Sequence, residues 1–228
     1  MTIDEYFGDW MKVLDRKETM KIVGWLNSVD KEILCPSILN VFKAFKLCPY
    51  NKCRIIFVGQ DPYPQKGVAQ GLLFSNSSNT PDSKLSPSLQ IIKESVINFE
   101  IPHNYITFDP TLESWATQGI LLLNASLTTE VGKVGIHTMN WKPFIIALLK
   151  HMSSLNPGII YVLFGSYAQM FKPFISNNNT IFIEKHPAFY ARTRSKMPYR
   201  LWQNINRRLV ELNGDKIEWY KEEKYGEI

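Results

Sequence analysis

Four apolar runs punctuate the chain, and each stops abruptly at polar, Gly or Pro residues. They are Arg54–Val58, Ile120–Leu123, Ile159–Phe164 and Thr180–Ile183. Short unbroken runs rich in Ile, Val and Phe predict strands buried on both faces. Between them, apolar residues recur at three- and fourfold spacing. This predicts helices over Thr2–Leu14, Glu18–Ser28, Pro36–Phe45, Ser86–Phe99, Thr111–Gln118, Trp141–Leu155 and Pro198–Leu212, with another opening after Gly165-Ser166. Gly119 and Asn156-Pro157-Gly158 supply stops, and Asn76–Ser86 reads as an exposed loop. Strands alternating with helices predict an α/β single domain. Its core is a central four-stranded, mostly parallel sheet flanked by helices. The charged tail is expected to fray beyond Tyr220, over about 221–228.

A distinctive polar residue follows each predicted strand: Asp61, Asn124, Ser166 and His186. Taken alone, each has an ordinary explanation as a turn residue, a cap or a satisfied histidine. In a parallel sheet, however, the carboxyl ends of the strands share one edge, where ligands bind. Four such residues therefore predict one crevice holding an anion, a carboxamide and an imidazole. The first of these loops, GQDPYP at Gly59–Pro64, is also stiffened by two prolines.

Composition narrows the picture. The 228 residues are 45% hydrophobic with a net charge of +5, enough for a sizeable core and a mild attraction to polyanions. No apolar run reaches the roughly 18 residues of a membrane span. The acidic, aromatic N-terminus lacks signal- or transit-peptide character, so a cytoplasmic or nuclear location is expected. Cys35, Cys48 and Cys53 lack metal-ligand spacing and read as unpaired thiols. No metal cluster, G-x-G-x-x-G or Walker loop is visible.

The candidate groups suit a polar ligand whose bond breaks with charge separation. The Asn124 carboxamide suits the edge of a nucleobase, and Phe74 offers a stacking ring. His186 suits an anionic leaving group, and Asp61 suits water or a developing cation. Phe189–Arg200 interleaves aromatic residues with Arg192, Arg194, Lys196 and Arg200, a pattern for tracking phosphates or wedging bases.

In this order, GQDPYP, GLLFS, SPSL, LLLNASLT, FGSYAQ and KHPA resemble the family 1 uracil-DNA glycosylases. The likeness runs over nearly the whole chain. It implies hydrolysis of the N-glycosidic bond of deoxyuridine in DNA, with no cofactor and with the base flipped out of the helix. By the same resemblance, Asp61 activates water and His186 stabilises the departing base. Asn124 reads the uracil edge, Phe74 stacks, Tyr63 excludes thymine, and the Gln60 backbone touches the base. Ser86, Ser88 and Ser166 fall where the family contacts phosphates.

Two departures stand out. Pro64 occupies a position where the family usually has His. The family's HPSPLS loop here reads His186-Pro187-Ala188-Phe189-Tyr190-Ala191, so a phosphate-binding Ser is lost and Tyr190 takes the wedge position. Arg192 and Arg194 are expected to restore the grip on DNA. Implied partners are uracil-containing DNA, single- or double-stranded, and a protein inhibitor or replication protein, with the chain acting as a monomer off the membrane. The alternatives are a glycosylase of this fold acting on another modified base, and a weakly active DNA-binding replication accessory protein.

Overall fold

The computed structural model describes residues 1–98 and 105–223. Its centre is a sheet of four parallel strands: β2 (Ile55–Gly59), β4 (Ile120–Asn124), β6 (Ile160–Phe164) and β7 (Thr180–Glu184). Their spatial order is β4-β2-β6-β7. Every residue of β2, β4 and β6 is buried, which is why these segments carry no alternation. The edge strand β7 is only half-buried. The chain steps from β2 to β4 on one side, then crosses back past β2 to β6. The topological switch point therefore lies at the carboxyl end of β2, where the Asp61 loop begins.

The helices are α1 (Ile3–Phe7), α2 (Arg16–Ser28), α3 (Lys43–Leu47), α4 (Pro87–Ile97), α5 (Glu113–Thr117), α6 (Thr138–Leu155), α7 (Gly165–Gln169), α8 (Pro187–Thr193) and α9 (Arg200–Asn213). Several differ from expectation. The first predicted helix is broken, because Thr2 and Glu5 form a capping box and Gly8 then leaves helical geometry at φ +53°. A tight 3₁₀ turn carries on from there and turns Trp10 inward, where its indole N–H donates to the carbonyls of Phe45 and Cys48. Pro36–Phe45 likewise divides into a 3₁₀ turn at Ile38–Asn40 followed by α3. Phe99, the expected end of α4, lies outside the described residues.

Two small antiparallel pairs were not expected. β1 (Leu34–Cys35) pairs with β5 (Thr129–Glu130), and β3 (Tyr105–Thr107) pairs with β8 (Lys221–Glu223). The tail thus stays ordered to Glu223, because its backbone finds a strand to pair with; the expected fraying of 224–228 falls outside the described residues. Just before β8, Trp219 docks into an aromatic cluster. Its ring lies 4.9 Å from Trp115 and 5.1 Å from Trp202, and Trp115 lies 5.6 Å from Trp202. The Trp115 indole N–H also donates to the Trp219 carbonyl at 2.9 Å. Among the described residues, no helix is long and apolar enough to cross a membrane.

Candidate active site

The carboxyl ends of β2 and β4 are laced together. Gly59 is in register with Asn124, and the Gly59 and Gln60 carbonyls accept the Ala125 and Ser126 amides at 3.1 and 2.9 Å. Gly59 is required by space: a Cβ there would lie 2.2 Å from Leu73 Cδ1 and 3.2 Å from Asn124 Oδ1. Gly165, at φ +84°, lets the turn after β6 pass beside His186, whose Cβ would sit 3.0 Å from an added methyl.

A cleft of about 560 Å³ opens at this edge. Of the residues singled out from sequence, it gathers Gln60, Asp61, Tyr63, Pro64, Phe74, Ser88, Asn124, Ser166, His186 and Arg192. Leu127, Val134, Phe164 and Tyr167 line it too, and sequence reasoning gave none of them a role there; Phe189, the first residue of the basic, aromatic stretch, also reaches it. Tyr167 is next to Ser166 on α7, so its neighbour was the available signal. Val134 lies on a loop with no motif.

Asp61 is half-buried, and its Oδ2 accepts the Gly135 N–H at 2.7 Å. Its other oxygen has no hydrogen-bond partner among the described residues. Burial raises its pKa above the usual carboxylate value, and the Gly135 amide pulls it partly back. His186 is the N-cap of α8, and its Nδ1 accepts the Ala188 N–H at 3.2 Å. The ring lies edge-on to Phe74 at 5.4 Å. Burial, reinforced by the nearby Arg192 charge, lowers the His186 pKa to about 4. At neutral pH the imidazole is therefore uncharged, with its hydrogen on Nε2.

Asn124 is 8% exposed, and its Oδ1 is fully buried without a hydrogen-bond partner among the described residues. Phe74 supplies a ring nearby, on a backbone held at φ +64°. The Leu73 N–H ties this segment to the Leu122 carbonyl of β4 at 3.2 Å. The Tyr63 hydroxyl accepts from Ser86 Oγ at 2.6 Å and donates to the Phe74 carbonyl at 3.1 Å, which fixes its ring.

Three expected DNA-contacting residues stand elsewhere. Ser86 lines an adjoining recess rather than the cleft, and its hydroxyl is engaged with Tyr63. Arg194 is exposed, just past α8 at φ +52°, outside the cleft lining. Tyr190 does not project as a wedge. It lies on a helix rather than a loop, is 7% exposed, and its hydroxyl donates to Glu184 Oε1 at 2.5 Å. Helical periodicity turns Tyr190 inward and leaves its neighbour Phe189 half-buried at the cleft, with the Lys185 ammonium 4.1 Å from the ring centroid.

One cleft thus holds a neutral imidazole, a carboxamide without an internal partner for its oxygen among the described residues, a carboxylate and an aromatic ring. Comparison with known proteins gives the family. Residues 45–210 match the family described as the Uracil DNA glycosylase superfamily. The uracil-DNA glycosylase of Coxiella burnetii is 34% identical over 227 residues, covering 94% of this chain and 95% of that protein. That of Aliarcobacter butzleri is 33% identical over 218 residues, covering 92% and 99%. The crystal structure of mimivirus uracil-DNA glycosylase superposes with a TM-score of 0.73 at 22% identity, covering 96% of this chain and 93% of that one. The chain belongs to the Uracil DNA glycosylase superfamily.

Proposed function

We propose that this protein is a uracil-DNA glycosylase: it hydrolyses the N-glycosidic bond of deoxyuridine in DNA, releasing uracil and leaving an abasic site for base-excision repair. The observation that carries this reading is the convergence of the Asp61 carboxylate, the Asn124 carboxamide, the His186 imidazole and the Phe74 ring on one cleft. The Asn124 oxygen makes no hydrogen bond among the described residues, so the carboxamide is not committed to another group and is free to turn towards a ligand.

Uracil is such a ligand. Its N3–H meets Asn124 Oδ1, and its O4 accepts from the carboxamide NH₂. Cytosine reverses both groups and would face two like-for-like clashes. The Phe74 ring stacks on the base, and the fixed Tyr63 ring crowds the carbon where thymine bears its methyl. As the bond from N1 to the sugar stretches, negative charge grows on the base oxygens. His186 Nε2–H donates to that charge without transferring its proton. Asp61 faces the cationic sugar and orients water. The water oxygen bonds to the sugar carbon, its proton passes to Asp61 and then to solvent, and uracil leaves as an N1 anion.

The DNA backbone runs past Pro64, Ser88, Ser166 and Arg192, with Ser86 holding Tyr63 and Arg194 adding charge beyond the rim. Partners in this reading are uracil-containing DNA and a protein inhibitor shaped to the same cleft, and the chain acts as a monomer. The test is base release from defined oligonucleotides carrying uracil, thymine or cytosine. Release of uracil alone is expected. Duplex binding without any release would favour a DNA-binding accessory role instead.

A further inference from the structure

Behind the cleft lies a buried hydrogen-bonded chain that no step above uses. His137, at the N-cap of α6, is 5% exposed. Its Nδ1 lies 3.0 Å from Thr128 Oγ1, and its Nε2 lies 3.4 Å from Glu130 Oε1. Thr128 Oγ1 also accepts the Trp141 indole N–H at 2.7 Å. These contacts fix the hydrogens. The indole only donates, and the Thr128 hydroxyl has no other acceptor among the described residues. The hydroxyl therefore donates to Nδ1, and Nε2–H faces the Glu130 carboxylate. The groups facing His137 are Glu130, Lys133, the hydroxyl and backbone carbonyl of Thr128, and the edge-on Trp25 ring, 4.8 Å away between centroids. Burial is the largest influence and lowers the imidazole's pKa below its ordinary value despite Glu130.

Thr128 and Glu130 enter one loop, and His137 closes it. Inside, the Lys133 N–H donates to the Glu130 carbonyl at 3.0 Å, and the Thr129 hydroxyl bonds the Lys133 carbonyl. The Thr138 N–H donates to the Gly135 carbonyl at 3.2 Å. Gly135 itself, at φ +73°, points its N–H at Asp61 Oδ2.

We propose that His137 is a positioning residue: by joining Thr128 to Glu130 it locks the loop whose Gly135 amide holds the Asp61 carboxylate. This rests on the reading of Asp61 as the carboxylate that faces the sugar. Without the lock the amide wanders, Asp61 loses a donor that favours its ionised form, and it ionises only at higher pH. Besides that amide, the titratable group facing Asp61 is the Tyr167 hydroxyl from α7.

The test pairs two readouts on the full chain. One is hydrogen exchange at the Gly135 amide, followed by ¹⁵N NMR without substrate. The other is the pH dependence of uracil release, resolved into kcat and KM. His137→Ala, and Thr128→Val, which removes only the hydroxyl, should speed Gly135 exchange about tenfold or more. The acid midpoint of kcat should rise by about half to one pH unit, with KM little changed. Glu130→Gln keeps an acceptor for Nε2–H and should retain wild-type behaviour in both readouts. Thermal melts identify the folded variants. An unmoved Gly135 amide in either folded variant overturns the proposal. Because that amide is read without DNA, it decides the matter even if the wild type releases no uracil, a result that would defeat only the proposed activity.

Discussion

The Nδ1 atom of His186 accepts the backbone N–H of Ala188 at 3.2 Å. This contact decides which form of the ring faces the cleft. An acceptor at Nδ1 leaves the hydrogen on Nε2, and protonating Nδ1 would break the cap of α8. With its pKa lowered to about 4, mainly by burial, the folded ring refuses a proton that the unfolded ring takes up near its ordinary value of 6.5. Above pH 6.5 both states are neutral and the contribution is constant. As pH falls from there towards about 4, stability should drop by up to about 1.4 kcal/mol per pH unit. Urea titrations of wild type and His186→Gln at several pH values check this. The wild type should lose more stability over that window, and parallel losses would show that the imidazole titrates normally.

Asp61→Asn should lower uracil release by roughly a hundred- to ten-thousand-fold, the range for losing a group that acts directly on the reacting atoms. Affinity for uracil-free DNA should hold, because the carboxylate makes no phosphate contact in this reading. Burial raises the Asp61 pKa, so wild-type kcat should fall on the acid side at a pH above the ordinary carboxylate range. Single-turnover rates together with a binding titration separate the two effects.

Gly59→Ala should impair both folding and base reading. The added methyl would sit 2.2 Å from Leu73 Cδ1, in a fully packed interior, and 3.2 Å from Asn124 Oδ1. Overpacking of this kind costs about 1–3 kcal/mol. The expected signature is a lower melting temperature and a fall in kcat/KM for uracil larger than that for a control core variant of equal stability loss.

Phe189 and Tyr190 should behave as opposites despite being neighbours. Tyr190→Ala opens a hole beneath α8 and removes the hydroxyl bond to Glu184, so it should cost about 3–5 kcal/mol in a denaturation experiment. Phe189→Ala should leave stability nearly unchanged and weaken action on duplex DNA more than on single strands. Equal losses on the two substrates would remove Phe189 as the side chain that enters the helix.

The four strands and the residues that follow them were legible because parallel burial writes itself as unbroken apolar runs. Asp61, Asn124, Ser166 and His186 then followed from topology alone. Other features were hidden for physical reasons. The orientation of Tyr190 depended on residues 187–193 coiling into α8, and a seven-residue helix opening with Pro187 in a basic, aromatic stretch gives little periodic signal. The Gly135 amide carries no side chain to recognise. The pairing of β3 with β8 joins segments more than a hundred residues apart, which no local pattern announces. The break at Gly8 was readable in principle, since glycine there ends the helix at positive φ.

The packing of Trp115, Trp202 and Trp219 has an optical consequence. Three indoles whose centres lie 4.9–5.6 Å apart couple their excited states, so the intact protein should show a strong near-ultraviolet circular dichroism band. The three rings come from α5, α9 and the segment before β8, and any detachment of the last would remove two of the three coupled pairs and weaken the band. The molecule thus carries an intrinsic spectroscopic gauge of whether its carboxyl-terminal stretch is seated, readable without label or substrate.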